Sequence, residues 1–201
     1  MKILAVYGSH FGQAEKVLRR IVAALEGAGH TVEVFKGDAV PSGTAVTDYE
    51  AVLVAASIQM GQYQGYMRDF ARRNVAALSD RPSAFVSVNG SHPESEPEWQ
   101  AEARGYVAQF VEQTGWQPRW TATFTGALRY KSYNPLLRWF MKRIVAKGGG
   151  PTDTSQDYEF TDWDHVDRFA AELVAALAGL PPAPAIGGES GGRHEVRGDP
   201  R

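Results

Sequence analysis

Cysteine is absent from the 201 residues, which excludes disulfides, thiolate metal sites and cysteine nucleophiles and leaves the compartment open. Long apolar runs are missing too. No window approaches the ~18 continuous apolar residues of a spanning helix, and the N-terminal run from Ile3 to Tyr7 is too short for the apolar region of a secretory signal. There is no charge imbalance either: 21 Lys and Arg stand against 23 Asp and Glu, with a net charge of -2. Such a balance makes no general case for nucleic acid. The five histidines are scattered, at 10, 30, 92, 165 and 194, without metal-ligand spacing. No Gly-x-Ser-x-Gly joins a predicted strand to a helix as a nucleophile elbow does, and no internal repeat is found, so nothing supports hydrolysis. What remains is the expectation of a cytoplasmic protein long enough for one α/β domain with a substantial core.

The stretch MKILAVYGSHFGQAEKV organises the rest. An apolar run meets a short polar turn, Gly8 to Gly12, and helical periodicity begins at Gln13. A strand feeding a loop and then a helix turns several backbone N–H groups towards one point, where the helix dipole also favours an anion. Ser9 adds a hydroxyl and Gly12 allows close backbone approach. The loop lacks the Gly-Lys-Ser/Thr ending of a P-loop and does not fit the dinucleotide fingerprint.

Further along, Val17, Leu18, Ile21, Val22 and Leu25 predict one apolar helical face. TVEVF (31–35) alternates as a strand does, and 37–47 reads as loop. AVLVAA (51–56) and SAFVSV (83–88) have the continuous apolar character of central parallel strands. Helices are predicted over 65–78, 97–114 and 162–178, and a strand over 119–127. These alternations predict a doubly wound, mainly parallel five-stranded sheet of order 2-1-3-4-5. Residues 1–180 form the domain. The Pro-, Gly- and charge-rich tail 181–201 is expected to be disordered.

Ligands in such sheets bind beyond the carboxyl ends of the strands, which selects loops 8–14, 57–63 and 88–97. The second offers Ser57, Ile58, Gln59, Met60, Gly61 and Tyr63; the third offers Ser87, Val88, Asn89 and Gly90. Together they supply an apolar wall and backbone donors suited to a flat ring such as isoalloxazine. Within the insert 128–157, residues 135–147 place Leu136, Leu137, Phe140, Met141, Ile144 and Val145 at helical spacing. Arg138, Lys142, Arg143 and Lys147 fill the other positions, with Lys131 upstream and Trp139 as an interfacial aromatic. An apolar face beside a cationic one suits anionic lipid or a propionate-bearing substrate.

The pattern resembles the flavodoxin-like, quinone-dependent protoporphyrinogen IX dehydrogenases of bacteria, from Met1 to about Leu177. The resemblance is carried by ASIQMGQY (56–63), PSAFVSVN (82–89), GALRY (126–130), GGPTDT (149–154) and FTDW (160–163). It implies FMN as cofactor and a last strand interrupted by a long insert. It also implies oxidation of protoporphyrinogen IX in heme biosynthesis, electron transfer to menaquinone or ubiquinone, and contact with the inner face of the membrane. Ser9, His10, Phe11, Gly12, Gln13 and Ala14 correspond to the phosphate loop, and 57–63 and 87–90 to the ring loops. Phe11 and Ala14 stand where such loops usually carry hydroxyls, so a loss of roughly 1.5–3 kcal/mol per missing charged hydrogen bond is expected. The rival readings are an electron-carrier flavodoxin, an NAD(P)H-dependent quinone reductase and a non-enzymatic binding module. No catalytic acid or base is assigned.

Overall fold

The N-terminal apolar run forms strand β1 (Lys2–Gly8), and its alternate side chains enter two different cores. The computed structural model describes residues 1–90, 97–147 and 149–180. Residues 91–96 of the third candidate loop, His92 among them, and the tail 181–201 lie outside the described residues.

Strand β1 pairs in parallel with both β2 (Thr31–Lys36) and β3 (Ala51–Ser57). The sheet continues through β4 (Ser83–Asn89) to β5 (Trp120–Thr125), again in parallel. The resulting order, β2-β1-β3-β4-β5, is the expected one. Strand β4 is buried throughout and β3 all but its last residue, because helices cover both faces and every side chain meets apolar surface.

On one face, Ile3, Ala5 and Leu53 pack under α1 (Gln13–Gly27) and α6 (Trp163–Ala178). On the other, Leu4, Val6 and Phe85 lie under α2 (Gly65–Arg73), α3 (Val75–Ser79) and α4 (Pro97–Thr114). Phe85 and Phe110 stack there with ring centroids 4.4 Å apart. No helix joins β2 to β3. A loop and a single 3-10 turn, Val46–Asp48, make that crossing, with Val46 and Tyr49 buried in a helix's place. The helix predicted over 65–78 is broken at Asn74, whose amide donates to the Phe70 carbonyl at 2.8 Å. A side chain that bonds the preceding turn competes with helix continuation.

The insert leaves at the carboxyl end of β5, the same edge as the candidate loops. There β6 (Ala127–Leu128) pairs antiparallel with β7 (Tyr158–Glu159) to form a short stem, and α5 (Pro135–Lys147) stands beyond it. Gly126 directs this departure. Its N–H donates to the Gly90 carbonyl, and a Cβ would lie 3.2 Å from that oxygen. The chain that returns through β7 does not re-enter the large sheet but passes directly into α6.

Candidate functional site

The first β–α turn has the features of a candidate anion site. Gly12 occupies the N-cap position of α1 with φ +84°, and no side chain caps the helix. The first intrahelical bond runs from Lys16 N–H to the Gly12 carbonyl at 3.0 Å, so the N–H groups of Gln13, Ala14 and Glu15 precede the ladder and have no partner within it. Ser9 Oγ is buried beside them without a hydrogen-bond partner.

Three side chains of this loop do something other than line a ligand. Phe11 turns away and sets its ring edge-on against Tyr133 of the insert, at 4.8 Å. Ala14 is fully buried in the α1–α6 core. Gln13 is 5% exposed; its Oε1 accepts from Arg129 and its Nε2 donates to Thr161, each at 2.7 Å. Only the backbone of these residues is left for an anion.

The second loop is a tight turn closed by reciprocal bonds between Gln59 and Gln62, at 2.9 and 3.1 Å. Met60 (φ +50°) and Gly61 (φ +78°) take the two central positions with the paired positive φ of a type I′ turn. A non-glycine residue rarely adopts that conformation. Here it holds the Met60 side chain 78% exposed at the loop tip. Ile58 N–H donates to the Val88 carbonyl and fixes the loop to β4.

Tyr63 and Ser87 belong to the core. The Tyr63 hydroxyl donates to Ser87 Oγ at 2.7 Å, and its ring meets Phe85 and Phe110 edge-on. Burial pushes the Tyr63 hydroxyl far above its usual pKa, so it stays protonated at neutral pH.

In the third loop, Asn89 is 3% exposed and its Oδ1 has no partner. The adjacent backbone is held by Trp99, whose indole N–H donates to the Asn89 carbonyl. The same indole fills the place of a Cβ on Gly90, which has φ +71°. Gln64, beyond the span selected from sequence, joins the loops. Its Nε2 lies 2.8 Å from His10 Nδ1 and 3.0 Å from Ser57 Oγ, while its buried Oε1 is partnerless. A polar residue at the last position before α2 was the available signal.

Ser9 Oγ, Gln64 Oε1 and Asn89 Oδ1 are the buried side-chain polar atoms without partners among the described residues. All three lie at the carboxyl ends of the adjacent strands β1, β3 and β4: Ser9 follows β1, Gln64 bonds Ser57 at the end of β3, and Asn89 ends β4. A buried polar group left unpaired costs about 1–3 kcal/mol, so three at one edge make it the candidate place for a polar ligand. They suit an elongated ligand with an anionic end over α1 and a hydrogen-bonding ring between the other two loops. A separate cavity of about 430 Å³ lies between the 37–44 segment and α2, lined by Asp38, Tyr66, Phe70 and Arg73. It holds none of the three orphaned atoms, and we place the site by those atoms.

On α5 the apolar residues divide. Leu137, Met141 and Val145 face the insert's own small core, whereas Leu136, Trp139, Phe140 and Ile144 are exposed. Arg143 lies over the Trp139 ring, and Lys131, Lys142 and Lys147 are exposed. Arg138 is tied down: its guanidinium donates to the Tyr130 and Tyr133 carbonyls. Among the described residues, no helix is long and apolar enough to cross a membrane, and no cluster of metal-ligating side chains occurs.

The sequence model of the flavodoxin domain family matches residues 4–155. Protoporphyrinogen IX dehydrogenase [quinone] of Escherichia coli K12 is 30% identical over 176 residues, spanning 87% of this chain and 95% of that one. The chain belongs to this flavodoxin-domain family of protoporphyrinogen IX dehydrogenases. A member from Leishmania major is 34% identical over 139 residues, covering 69% of this chain and 60% of its own. Among solved structures, a flavodoxin from Pseudomonas aeruginosa, in a single-substitution form, superposes with a TM-score of 0.54 over 89% of this chain and all of that one. At 17% identity it speaks for the fold alone. Family and fold together make this chain a flavin-binding oxidoreductase.

Proposed function

We propose that the protein binds FMN and oxidises protoporphyrinogen IX to protoporphyrin IX, passing the electrons to a membrane quinone, menaquinone or ubiquinone, as a step of heme biosynthesis. The observation that carries this reading is the set of three partnerless polar atoms at adjacent strand ends, in a chain whose relatives are named for that reaction.

The phosphate would be held by Ser9 Oγ and the free amides of α1, with Gly12 setting the loop's shape. The ring would lie between the Met60–Gly61 turn and Asn89–Gly90. FMN supplies two-electron acceptance there. Asn89, held by Trp99, and Gln64, held between His10 and Ser57, orient polar atoms that are already desolvated and need no reorganisation on binding. Full conversion of the substrate takes several two-electron oxidations, so a quinone must reach the site repeatedly. Helix α5 meets that need as a peripheral contact with an anionic membrane at the cytoplasmic face. Leu136, Trp139, Phe140 and Ile144 enter the interface, and Lys131, Lys142, Arg143 and Lys147 meet headgroups, each worth about 1 kcal/mol near such a surface.

The test is to load the purified protein with FMN and add protoporphyrinogen IX and menaquinone without oxygen. Porphyrin fluorescence should rise as quinone is reduced, and NADPH should not replace the porphyrinogen as reductant. Protein that takes up FMN but yields no porphyrin would overturn the substrate reading. Protein that cannot take up FMN would overturn the cofactor reading.

A further inference from the structure

The insert has its own small core, built on Leu128, Tyr130, Tyr133 and Val145. The residues of that core come from the insert and its stem, as far as Phe160, with one exception: Phe11 of the phosphate loop. Two polar ties join the same parts. Gln13 Oε1 accepts from Arg129 at 2.7 Å, and Lys16 Nζ meets Glu159 Oε2 at 2.7 Å. Residues 11, 13 and 16 therefore send side chains to the insert while the backbone between them offers its N–H groups to an anion. One short segment serves both.

We propose that Phe11 and Gln13 are positioning residues through which a phosphate held in the loop fixes the insert, so that cofactor binding and placement of α5 are coupled. The proposal rests on the FMN reading. It follows from the separation of the two tasks: the side chains cannot keep their seats in the insert unless the loop backbone keeps its shape. An anion bound by several amides of that backbone selects one shape. Coupling of this kind is reciprocal, so a fixed insert must also strengthen phosphate binding. It also explains why an aromatic ring stands where related loops carry a hydroxyl. The ring gives up one bond to the phosphate and gains the contact that completes the insert's core.

Amide hydrogen exchange of the full-length protein over residues 127–147 tests this. Saturating FMN should slow exchange there by about 5–150-fold, the usual range of coupling, whereas saturating riboflavin, which lacks the phosphate, should leave it as in the flavin-free protein. Phe11→Ala and Arg129→Gln should each still bind FMN, more weakly, but lose the slowing; Phe11→Tyr, which keeps the ring, should retain it. Equal slowing by riboflavin, slowing that persists in Phe11→Ala, or no slowing in the unaltered protein would overturn the coupling and leave the FMN reading intact. Failure to bind FMN would overturn both.

Discussion

At Gly12 the backbone has φ +84°, and a Cβ built there would meet nothing within 4 Å. Gly12→Ala therefore introduces strain without a clash, roughly 1–2 kcal/mol in the left-handed region. Where the flavin-free variant relaxes out of that strain and the FMN-bound loop does not, FMN affinity should fall about tenfold, since 1.4 kcal/mol is tenfold in Kd; fluorescence quenching of FMN reads this directly. Ser9 and Asn89 make the opposite kind of prediction, because their orphaned oxygens are a cost in the flavin-free protein. Ser9→Ala and Asn89→Ala should leave its melting temperature unchanged or raise it. With FMN present, Ser9→Ala should lose about 1.5–3 kcal/mol, the worth of a hydrogen bond to a charged group. A variant destabilised equally with and without FMN would assign that residue to packing.

The stem of the insert is held by charge as well as by Phe11. Partial burial pushes the Glu159 carboxyl up, but the hydrogen bond and charge of Lys16, with the Trp163 indole N–H, outweigh it and leave the carboxyl below its ordinary 4.5. A carboxyl whose folded pKa is depressed stabilises the fold above its unfolded value and loses that contribution as pH falls through the folded one. The stem should thus be fully tied at neutral pH and loosen below about pH 4.5. Glu159→Gln should be looser at neutral pH and show less change with acid. Proteolysis rates within 128–157, measured against pH, check this. For α5, Trp139→Ala combined with Phe140→Ala should reduce co-sedimentation with anionic vesicles. Binding of the unaltered protein should weaken as salt rises, because exposed charges are screened. Binding indifferent to both would remove α5 as the membrane contact.

Across the whole molecule, the three loops belong to strands at the centre of the sheet, so a ligand that joins them ties β1, β3 and β4 together. Saturation at 100 times Kd adds about 2.7 kcal/mol to stability. For a chain of this length that is about 5–10 °C in Tm, measurable by calorimetry with and without FMN.

Strand order, the helix faces and the strand ends at which the orphaned polar atoms gather were legible in the residues. They depend on local periodicity and on the rule that parallel sheets bind ligands beyond their carboxyl ends. Val17 to Leu25 and the run 51–56 declare their burial by spacing alone. What a side chain in a loop touches is set by distant parts of the chain, and no spacing announces it. Only the tertiary structure shows Tyr63 in the core, Gln64 bridging His10 and Ser57, and Arg138 bound to carbonyls of its own insert. Phe11 marks the division most plainly. Sequence places it in the phosphate loop as a missing hydroxyl; the fold brings Tyr133 within 4.8 Å and makes it the seat of the insert, because a contact across more than a hundred residues exists only once both segments have packed.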